Sequence, residues 1–329
     1  MDKVSIITTF YNCERFLKYA LTSVIQQKTN KLFNIEYILV NDCSTDNGLK
    51  VAEDFIKTYK NVKNINIKLY TPEHNLGCGA ARKYGIEKAT GDYFMFLDAD
   101  DYYINNDFVL RAYKTITEEE ADIVEYGVLY HDIYGNTQNL CVSDRLTFTN
   151  WHDSIYWMFK NNTVKFNVWS KIYTKEIVYS FPYDTTREYE DIRTIPVWVM
   201  HANKLIVEPS IEINYRASQN TIIRDNGMRT RLGTITAMTE MCEYFKEDIK
   251  IVKALYNRAM IDICNVMDGK SSFDEGFDEM SKLNTKLLSY IYPDTYKDFT
   301  YNVSELKDNE NNILNNNKNG NNYNNENIK

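Results

Sequence analysis

Short strand-like runs alternate with helical stripes through the first hundred residues, and this alternation restricts the chain to an α/β fold. Runs of β-branched and aromatic residues predict strands, whereas apolar residues spaced three and four apart predict amphipathic helices. The predicted strands are 4–9, 35–40, 65–70 and 93–97, and the predicted helices are 14–27, 49–59 and 78–89. Because some of these strands are apolar throughout, we expect a parallel sheet covered by helices on both faces.

Beyond residue 101 the alternation weakens, although further elements can still be predicted. Strands are predicted at 123–130 and 204–208, among irregular stretches rich in aromatic residues. From about residue 228 to 267 the apolar residues return to helical spacing. The second half of the chain is therefore expected to hold a few more strands, followed by helices.

A chain of 329 residues is typical of two domains, or of one domain with a large extension. We predict an α/β domain over 1–225 and a helical C-terminal extension over 226–300. The tail 301–329 is predicted to be disordered. Asparagine makes up 12 of the 21 residues from 309 to 329, so the tail has too little apolar surface to offset the entropy of ordering.

Charge and residue spacing argue against several classes of protein. Acidic residues outnumber basic ones by 46 to 38, and a net charge of −8 disfavours a general nucleic-acid binder. No run of 18 apolar residues predicts a transmembrane segment, and the chain opens on a strand rather than on a secretory signal. The cysteines and histidines do not recur at zinc-ligand spacing. We expect a cytoplasmic protein, with peripheral attachment to a membrane left open.

Polar and aromatic side chains follow the predicted strands, at the edge where an open α/β sheet binds ligands. Thr9 and Tyr11 lie at the end of the first strand, and Asp42 follows the second. A tyrosine ring can stack on a nucleobase, and a carboxylate can accept a hydrogen bond from a base N–H. The structural alternative makes Tyr11 a half-buried aromatic and gives residues 44–46 the role of capping the next helix.

The strongest local signal is an acidic cluster directly after the apolar strand 93–97. Asp98, Asp100 and Asp101 lie within four residues, and their like charges would repel at the mouth of a buried sheet unless a cation lay among them. Mg²⁺ and Mn²⁺ are held by one or two carboxylates together with substrate phosphates. The cluster predicts a metal–diphosphate site, and a water-exposed acidic turn is the alternative.

Two further segments carry weaker signals. Gly77 and Gly79 open a predicted helix with Arg82 one turn later, so backbone N–H groups and a guanidinium could approach a diphosphate there. A tight turn with a surface arginine explains the same residues. Acidic residues at 188, 190 and 191 precede the apolar stretch 192–200, where a helix dipole favours them without any catalytic role.

Taken in order along the chain, these motifs resemble those of family 2 glycosyltransferases with the GT-A fold. The resemblance covers roughly the first 220 residues. Its motifs are Val-Ser-Ile-Ile-Thr-Thr-Phe-Tyr-Asn at 4–12, Asn-Asp-Cys-Ser-Thr-Asp at 41–46, Asn-Leu-Gly at 75–77 with Ala-Arg at 81–82, Leu-Asp-Ala-Asp-Asp at 97–101, Asn-Val-Trp-Ser-Lys-Ile-Tyr at 167–173, Tyr-Glu-Asp at 189–191 and Tyr-Arg at 215–216. The resemblance implies a Rossmann-like, mostly parallel sheet flanked by helices, with a helical C-terminal extension.

The resemblance implies that the donor, a nucleotide diphosphate sugar, binds in the first half of the domain, about residues 1–101. Thr9, Tyr11 and Asp42 would hold the nucleobase, which in this family is usually uracil. Gly77 and Arg82 would lie at the diphosphate. The acceptor would then bind in the second half, about residues 102–225.

The resemblance also implies how catalysis would proceed. Asp98 and Asp100 would form the D-x-D motif that binds Mn²⁺ or Mg²⁺ together with the donor. Asp191 would be the general base that deprotonates the acceptor hydroxyl, giving inversion at the anomeric carbon. Asn41 stands where the family usually has aspartate, and no Q-x-x-R-W motif follows Asp191, which disfavours the processive synthases.

We therefore expect an inverting, metal-dependent glycosyltransferase that passes one sugar from a UDP-sugar to a hydroxyl of a glycan, a lipid-linked acceptor or a protein. Two other functions stay open. One is a nucleotidyltransferase of the pyrophosphorylase type, which would act on a nucleoside triphosphate. The other is a non-catalytic module that forms homo-oligomers through its tyrosine-rich surface and C-terminal helices.

Overall fold

The structure is a computed structural model that describes residues 1–132, 134–185, 189–216, 228–267 and 277–291. The predicted domain boundary near residue 225 and the asparagine-rich tail 301–329 both lie outside these residues, as does Glu188 of the acidic segment.

The described strands form one mixed sheet of ten strands, in the order β3-β2-β1-β4-β9-β6-β10-β5, with β7 beside β6 and β8 beside β10. They are β1 Asp2–Phe10, β2 Phe33–Asn41, β3 Ile65–Tyr70, β4 Tyr93–Phe96, β5 Tyr102–Tyr103, β6 Ile123–His131, β7 Thr137–Leu140, β8 Leu146–Phe148, β9 Lys171–Thr174 and β10 Leu205–Arg216. The first four strands are parallel, as expected from the alternation of strands and helices. Antiparallel β9 then separates them from the parallel pair β6 and β10.

Helices cover both faces of the sheet, and three more follow in the C-terminal part of the described chain. They are α1 Glu14–Ile25, α2 Gly48–Tyr59, α3 Cys78–Lys88, α4 Phe108–Glu118, α5 Trp151–Asn161, α6 Lys175–Ser180, α7 Glu190–His201, α8 Met228–Tyr244, α9 Ile249–Met267 and α10 Phe277–Ile291. None of the helices in the described segments combines enough length and apolar character to cross a bilayer.

The core consists of two layers, one on each face of the sheet. Because side chains alternate along a strand, neighbouring residues of β1 enter different layers. Ile6 packs in the layer that contains residues of α1, α2 and α4. Ile7 packs in the layer that contains residues of α3, α5, α7 and the C-terminal helices. The helices after residue 228 are therefore continuous with the core and do not form a separate cluster.

The predicted elements of the first hundred residues agree with the structure to within about two residues at each end. Beyond residue 101 the prediction omitted several elements, among them α5 and β9, and it ended β10 at residue 208 although the strand extends to Arg216. The pairing of β10 with β6 shifts after Val207 and again after Ile211, and the regular ladder resumes at Ile213. This irregularity breaks the alternation that the sequence prediction relies on, and the longer strand carries Arg216 to the acidic loop after β4.

Candidate active site

Arg82 joins the acidic loop after β4 to the start of α7. Its Nη2 donates to Asp98 Oδ1 at 2.8 Å, and its Nη1 forms an ion pair with Glu190 Oε1. The Tyr183 hydroxyl lies 3.4 Å from the same Nη1. The side chain of Arg82 is only 9% exposed, so the alternative of a surface arginine is wrong. One buried guanidinium thus connects motifs that are up to 108 residues apart in the chain.

Helix α3 can lie against the segment before α7 because residue 79 is glycine. A Cβ added to Gly79 would be 2.6 Å from the Asp184 carbonyl oxygen and 3.0 Å from Glu190 Cγ. The first distance is shorter than a Cβ atom tolerates, and the second is tighter than most Cβ contacts. The absence of a side chain at this position therefore permits the close approach that places Arg82 beside Glu190.

Asp191 lies in the first turn of α7, next to Glu190. Its Oδ1 accepts a hydrogen bond from the Ile192 N–H at 2.9 Å. Burial and the neighbouring Glu190 charge raise the pKa of Asp191 to about 6, and Arg82 opposes this shift. A carboxyl group with a pKa near the pH of the reaction is well suited to accept a proton. The first turn of a helix also favours negative charge through the helix dipole, and this is the structural explanation for an aspartate at this position.

Arg216, the last residue of β10, fixes the backbone of the acidic loop. Its N–H donates to Asp101 Oδ1 at 2.9 Å, and its Nε donates to the Asp100 carbonyl oxygen at 3.0 Å. The guanidinium lies 4.7 to 5.1 Å from the centres of three aromatic rings, those of Phe16, Tyr19 and Tyr102. Attraction between the cation and these rings holds the side chain over the loop.

The acidic loop concentrates negative charge that the protein compensates only in part. Burial and the Asp98 charge raise the pKa of Asp100 to about 6. Asp101 is fully buried, its pKa is raised well above the ordinary value, and its Oδ2 has no hydrogen-bond partner among the described residues. The alternative of a water-exposed acidic turn is therefore wrong for Asp101. A cation near Asp98 and Asp100 would relieve the repulsion.

Asp98 and Asp100 suit a divalent cation that also takes oxygens from a bound ligand. Within the described residues, no group of three or more histidine, cysteine, aspartate or glutamate side chains is arranged to hold a metal ion. Asp98 and Asp100 are hard oxygen donors of the kind that Mg²⁺ and Mn²⁺ prefer, and these ions commonly take further oxygens from substrate phosphates. The carboxylate pair is thus compatible with a cation that binds together with a diphosphate.

Asp42 holds the loop that follows β3. Its Oδ1 accepts from the Leu76 N–H at 2.7 Å and its Oδ2 from the Gly77 N–H at 2.9 Å. Gly77 has a φ of +83°, a backbone conformation that favours glycine. Each Asp42 oxygen retains a second lone pair, so the carboxylate can still accept a further hydrogen bond. Because the Gly77 N–H is bonded to Asp42 here, its contact with a diphosphate stays a prediction.

Tyr11 and Thr9 lie at the same edge of the sheet as Asp42. Tyr11 directly follows β1 and is 49% exposed, so it is half-buried, as the structural alternative expects, and half of its surface is accessible to a ligand. Thr9 is the last but one residue of β1 and pairs with Val40, two residues before Asp42. The three predicted base-binding residues therefore end two adjacent parallel strands.

The turn after β2 has a structural role, in line with the structural alternative stated above for residues 44–46. Asp46 Oδ1 accepts from the Gly48 N–H at 2.9 Å at the start of α2. Thr45 donates its N–H to Asn12 Oδ1 at 2.8 Å, which ties this turn to the loop after β1. The N-cap residue of α2 is Asn47, whose side chain makes no capping hydrogen bond, so Asp46 bonds the first helical N–H from one residue earlier. The turn supports the edge that carries Tyr11.

Sequence reasoning assigns no role to Glu190 or Arg216, although both belong to motifs that it singles out. Glu190 is one acidic residue among several at a helix start, and nothing in the local pattern distinguishes it from a residue placed by the helix dipole. Arg216 lies beyond the predicted end of its strand. A prediction that extended β10 to residue 216 would have placed Arg216 at the ligand-binding edge.

The parallel strands, the acidic loop after β4 and the arginine that joins this loop to α7 define an α/β domain of the GT-A type. The chain belongs to glycosyl transferase family 2, whose sequence model matches residues 5–182, more than half of the chain. This match confirms the family resemblance drawn from the motifs. It ends before α7, so Glu190, Asp191 and Arg216 lie outside it.

Known proteins of the same family are similar to parts of this chain. Glycosyltransferase GlyA of Streptococcus pneumoniae serotype 4 (strain ATCC BAA-334 / TIGR4) is 30% identical in an alignment of 200 residues, which covers 58% of this chain and only 27% of GlyA. The chain thus spans about a quarter of that relative.

Two solved structures share the fold. One is Staphylococcus aureus TarS, residues 1–349, in complex with UDP-GlcNAc. It matches with a TM-score of 0.68 and 18% identity, and the match covers 88% of this chain and 81% of the TarS chain. The mannosyltransferase PcManGT from Pyrobaculum calidifontis, in complex with GDP-Man and Mn²⁺, matches with a TM-score of 0.54 and 14% identity over 87% of this chain and 85% of its own. At these identities the similarity establishes the GT-A fold alone.

Proposed function

We propose that this protein is an inverting glycosyltransferase that transfers one sugar from a UDP-sugar to an acceptor hydroxyl, with Asp191 as general base. The observation that carries the proposal is the Arg82 bridge between Asp98 and Glu190. Through this bridge, Asp98, which is expected at the donor, and Glu190, the chain neighbour of the expected base Asp191, lie on either side of one buried cation. An acidic helix start without a catalytic role would not require such a connection.

The transfer is a direct displacement at the anomeric carbon of the donor sugar. The acceptor oxygen forms a bond to this carbon while its proton passes to the Asp191 carboxylate. The bond from the anomeric carbon to the diphosphate oxygen breaks, and its electron pair leaves with UDP. A divalent cation held by Asp98, Asp100 and the diphosphate would neutralise the charge that develops on the leaving group.

A uridine donor is supported by the residues at the ends of β1 and β2. The exposed Tyr11 ring offers a stacking surface for a base. The free lone pairs of Asp42 can accept from the N3–H of uracil. A solved protein of the same fold, TarS, binds UDP-GlcNAc, which makes UDP-GlcNAc the first donor to test.

The proposal is tested by incubating the purified protein with a panel of nucleotide sugars and Mn²⁺ or Mg²⁺, with and without simple glycoside acceptors. Release of a nucleoside diphosphate with transfer of the sugar supports it. Release of pyrophosphate from a nucleoside triphosphate would indicate a nucleotidyltransferase instead. Absence of turnover with every donor, together with self-association, would indicate a non-catalytic module.

Base selection is the first expected result. UDP should bind about 10- to 100-fold more tightly than CDP, because a hydrogen bond to a charged group contributes about 1.5 to 3 kcal/mol and cytosine has no N3–H to donate. Asp42→Ala should reduce this ratio toward one. The ratio is the informative quantity, since Asp42→Ala also frees the Leu76 and Gly77 N–H groups and could weaken both nucleotides equally. Equal affinities of the unaltered protein in calorimetry would contradict the assignment.

Metal removal should abolish donor binding. Without a cation, the Asp98 and Asp100 carboxylates would face a diphosphate of the same charge. Calorimetry should detect UDP binding in Mn²⁺ or Mg²⁺ and none in chelator, and Asp100→Ala should weaken both metal and UDP binding without unfolding the protein. Asp107→Ala, which removes a carboxylate that is 45% exposed and paired with Arg111, is the matched control. Unchanged UDP affinity in chelator would overturn this expectation.

The pH dependence of turnover should reflect Asp191. Only the ionised carboxylate can accept a proton, and its pKa is raised to about 6. The pKa of Asp100 is also raised to about 6, so the assay uses saturating metal, because a cation beside this carboxylate favours its ionised form. Under these conditions turnover should fall about tenfold per pH unit below about pH 6, where an ordinary aspartate would stay active. A rate that is constant down to pH 5, with the fold intact by circular dichroism, would exclude Asp191 as the base.

A further inference from the structure

The Tyr189-Glu190-Asp191 turn lies against helix α8 of the C-terminal part of the chain. Tyr189 has φ +63° and ψ +41°, a left-handed conformation that a tyrosine adopts only where its surroundings hold it. It directly precedes the two carboxylates expected to act at the acceptor. Whatever holds Tyr189 therefore also sets the position of Glu190 and Asp191.

Gly233 of α8 provides the first contact. A Cβ added to Gly233 would be 2.8 Å from Tyr189 Cδ2, and Cε2 of the same ring would be closer still. The ring thus packs directly on the helix backbone, at a distance that only glycine permits. Glycine weakens a helix interior relative to alanine, so its presence here is explained by this contact rather than by helix formation.

A partly buried ion pair provides the second contact. Arg193 lies one turn after Tyr189, and its Nε donates to Glu240 Oε2 of α8 at 2.6 Å, while its Nη1 donates to the Tyr189 carbonyl oxygen at 3.3 Å. The Arg193 side chain is 6% exposed. Gly233 and Glu240 are seven residues apart and so lie on one face of α8. One helix face therefore contacts both the ring of Tyr189 and the next turn of α7.

We infer that helix α8 is a positioning element for the transfer step, and that Gly233 and Glu240 hold the Glu190–Asp191 turn in its reactive geometry. The inference rests on the proposed function. Helix α3 contacts Glu190 through Arg82 and Gly79. The turn is thus held between an element inside the matched family region and an element outside it.

Gly233→Ala tests this inference with UDP-GlcNAc as donor and water or a simple glycoside as acceptor. The new methyl group displaces the Tyr189 ring, and misplacement of the turn by a fraction of an ångström should lower kcat about 10- to 100-fold. The dissociation constant for UDP should change by less than about twofold, because the substitution alters neither Tyr11 nor Asp42. Alanine favours helix more than glycine does, so a weakened α8 would not account for the loss.

Three further variants keep the result interpretable. Glu240→Gln removes the ion pair with a smaller change of shape and should lower kcat about two- to fivefold. Val252→Ala on α9 removes buried methyl groups from the C-terminal helices, and it should lower the melting temperature while leaving kcat unchanged. In a Tyr189→Ala background, Gly233→Ala should have no further effect on kcat, because the ring it displaces is gone.

The possible outcomes separate this inference from the proposed function. If the parent enzyme is active and neither Gly233→Ala nor Glu240→Gln changes kcat, the inference about α8 is wrong and the proposed function still stands. Equal losses of kcat in Gly233→Ala and Val252→Ala also overturn the inference, since they would indicate general loosening. If the parent enzyme releases no UDP from any donor, the proposed function fails and the inference fails with it.

Discussion

Asp191→Asn is expected to lower kcat by about 10² to 10⁴ while leaving the dissociation constant for UDP unchanged, because general-base assistance is worth a factor of this size. The amide keeps the shape of the side chain and can still accept the hydrogen bond from the Ile192 N–H. What it loses is the ability to take the proton from the acceptor hydroxyl. Single-turnover transfer at saturating donor, combined with UDP calorimetry, measures both quantities.

The same substitution should not destabilise the protein at pH 7.5. Burial and Glu190 raise the pKa of Asp191 to about 6, so its contribution to stability is present at low pH and is lost as the pH rises through about 6. Replacing the ionised carboxylate by a neutral amide should therefore leave the melting temperature unchanged or raise it. Glu190→Gln, which weakens the pairing with Arg82, should cost less activity and more stability.

Full activity of Asp191→Asn with a lowered melting temperature would be the opposite result. It would mean that Asp191 serves the start of α7, through the helix dipole and its bond to Ile192, and that another group is the base. Glu190 would then be the nearest candidate, and Glu190→Gln would show the larger loss of turnover.

Arg82→Met should lower the free energy of unfolding by about 3 to 5 kcal/mol, the usual cost of removing one partner from a buried ion pair. Methionine keeps part of the apolar stem of arginine but leaves Asp98 and Glu190 without their shared cation. Arg82→Lys should recover only part of this loss, because a single ammonium group cannot reproduce the fork that contacts both carboxylates. Urea unfolding at pH 7.5 with an unchanged m-value measures the difference.

Arg145→Met is the matched control for the Arg82 substitution. Arg145 pairs with Glu119 and Glu208, but its side chain is 39% exposed, so the same substitution should cost about 0 to 1 kcal/mol. In a Glu190→Gln background the cost of Arg82→Met should shrink, since fewer charges are left unpaired. Equal costs at positions 82 and 145 would mean that the Arg82 bridge is not a buried ion pair in solution.

The local elements of this protein follow from its sequence because they depend on short-range patterns. Strand 65–70 was predicted with the bounds that it has, and α2 begins one residue before its predicted start. The edge that carries Tyr11 and Asp42 follows from topology, because parallel strands bring their carboxyl ends to the same side of a sheet. The acidic cluster after β4 was recognised because three carboxylates beside an apolar strand conflict with burial unless they have a function.

The partners of those residues were decided by the tertiary structure. Arg82 meets Asp98 across 16 residues and Glu190 across 108, and no periodicity within one helix or strand specifies a contact at such a separation. Arg216 reaches the acidic loop only because β10 continues past the irregularity after Val207. Sequence periodicity determines which face of an element is buried, whereas ion pairs between distant elements depend on how the elements pack, and that packing is a property of the whole chain.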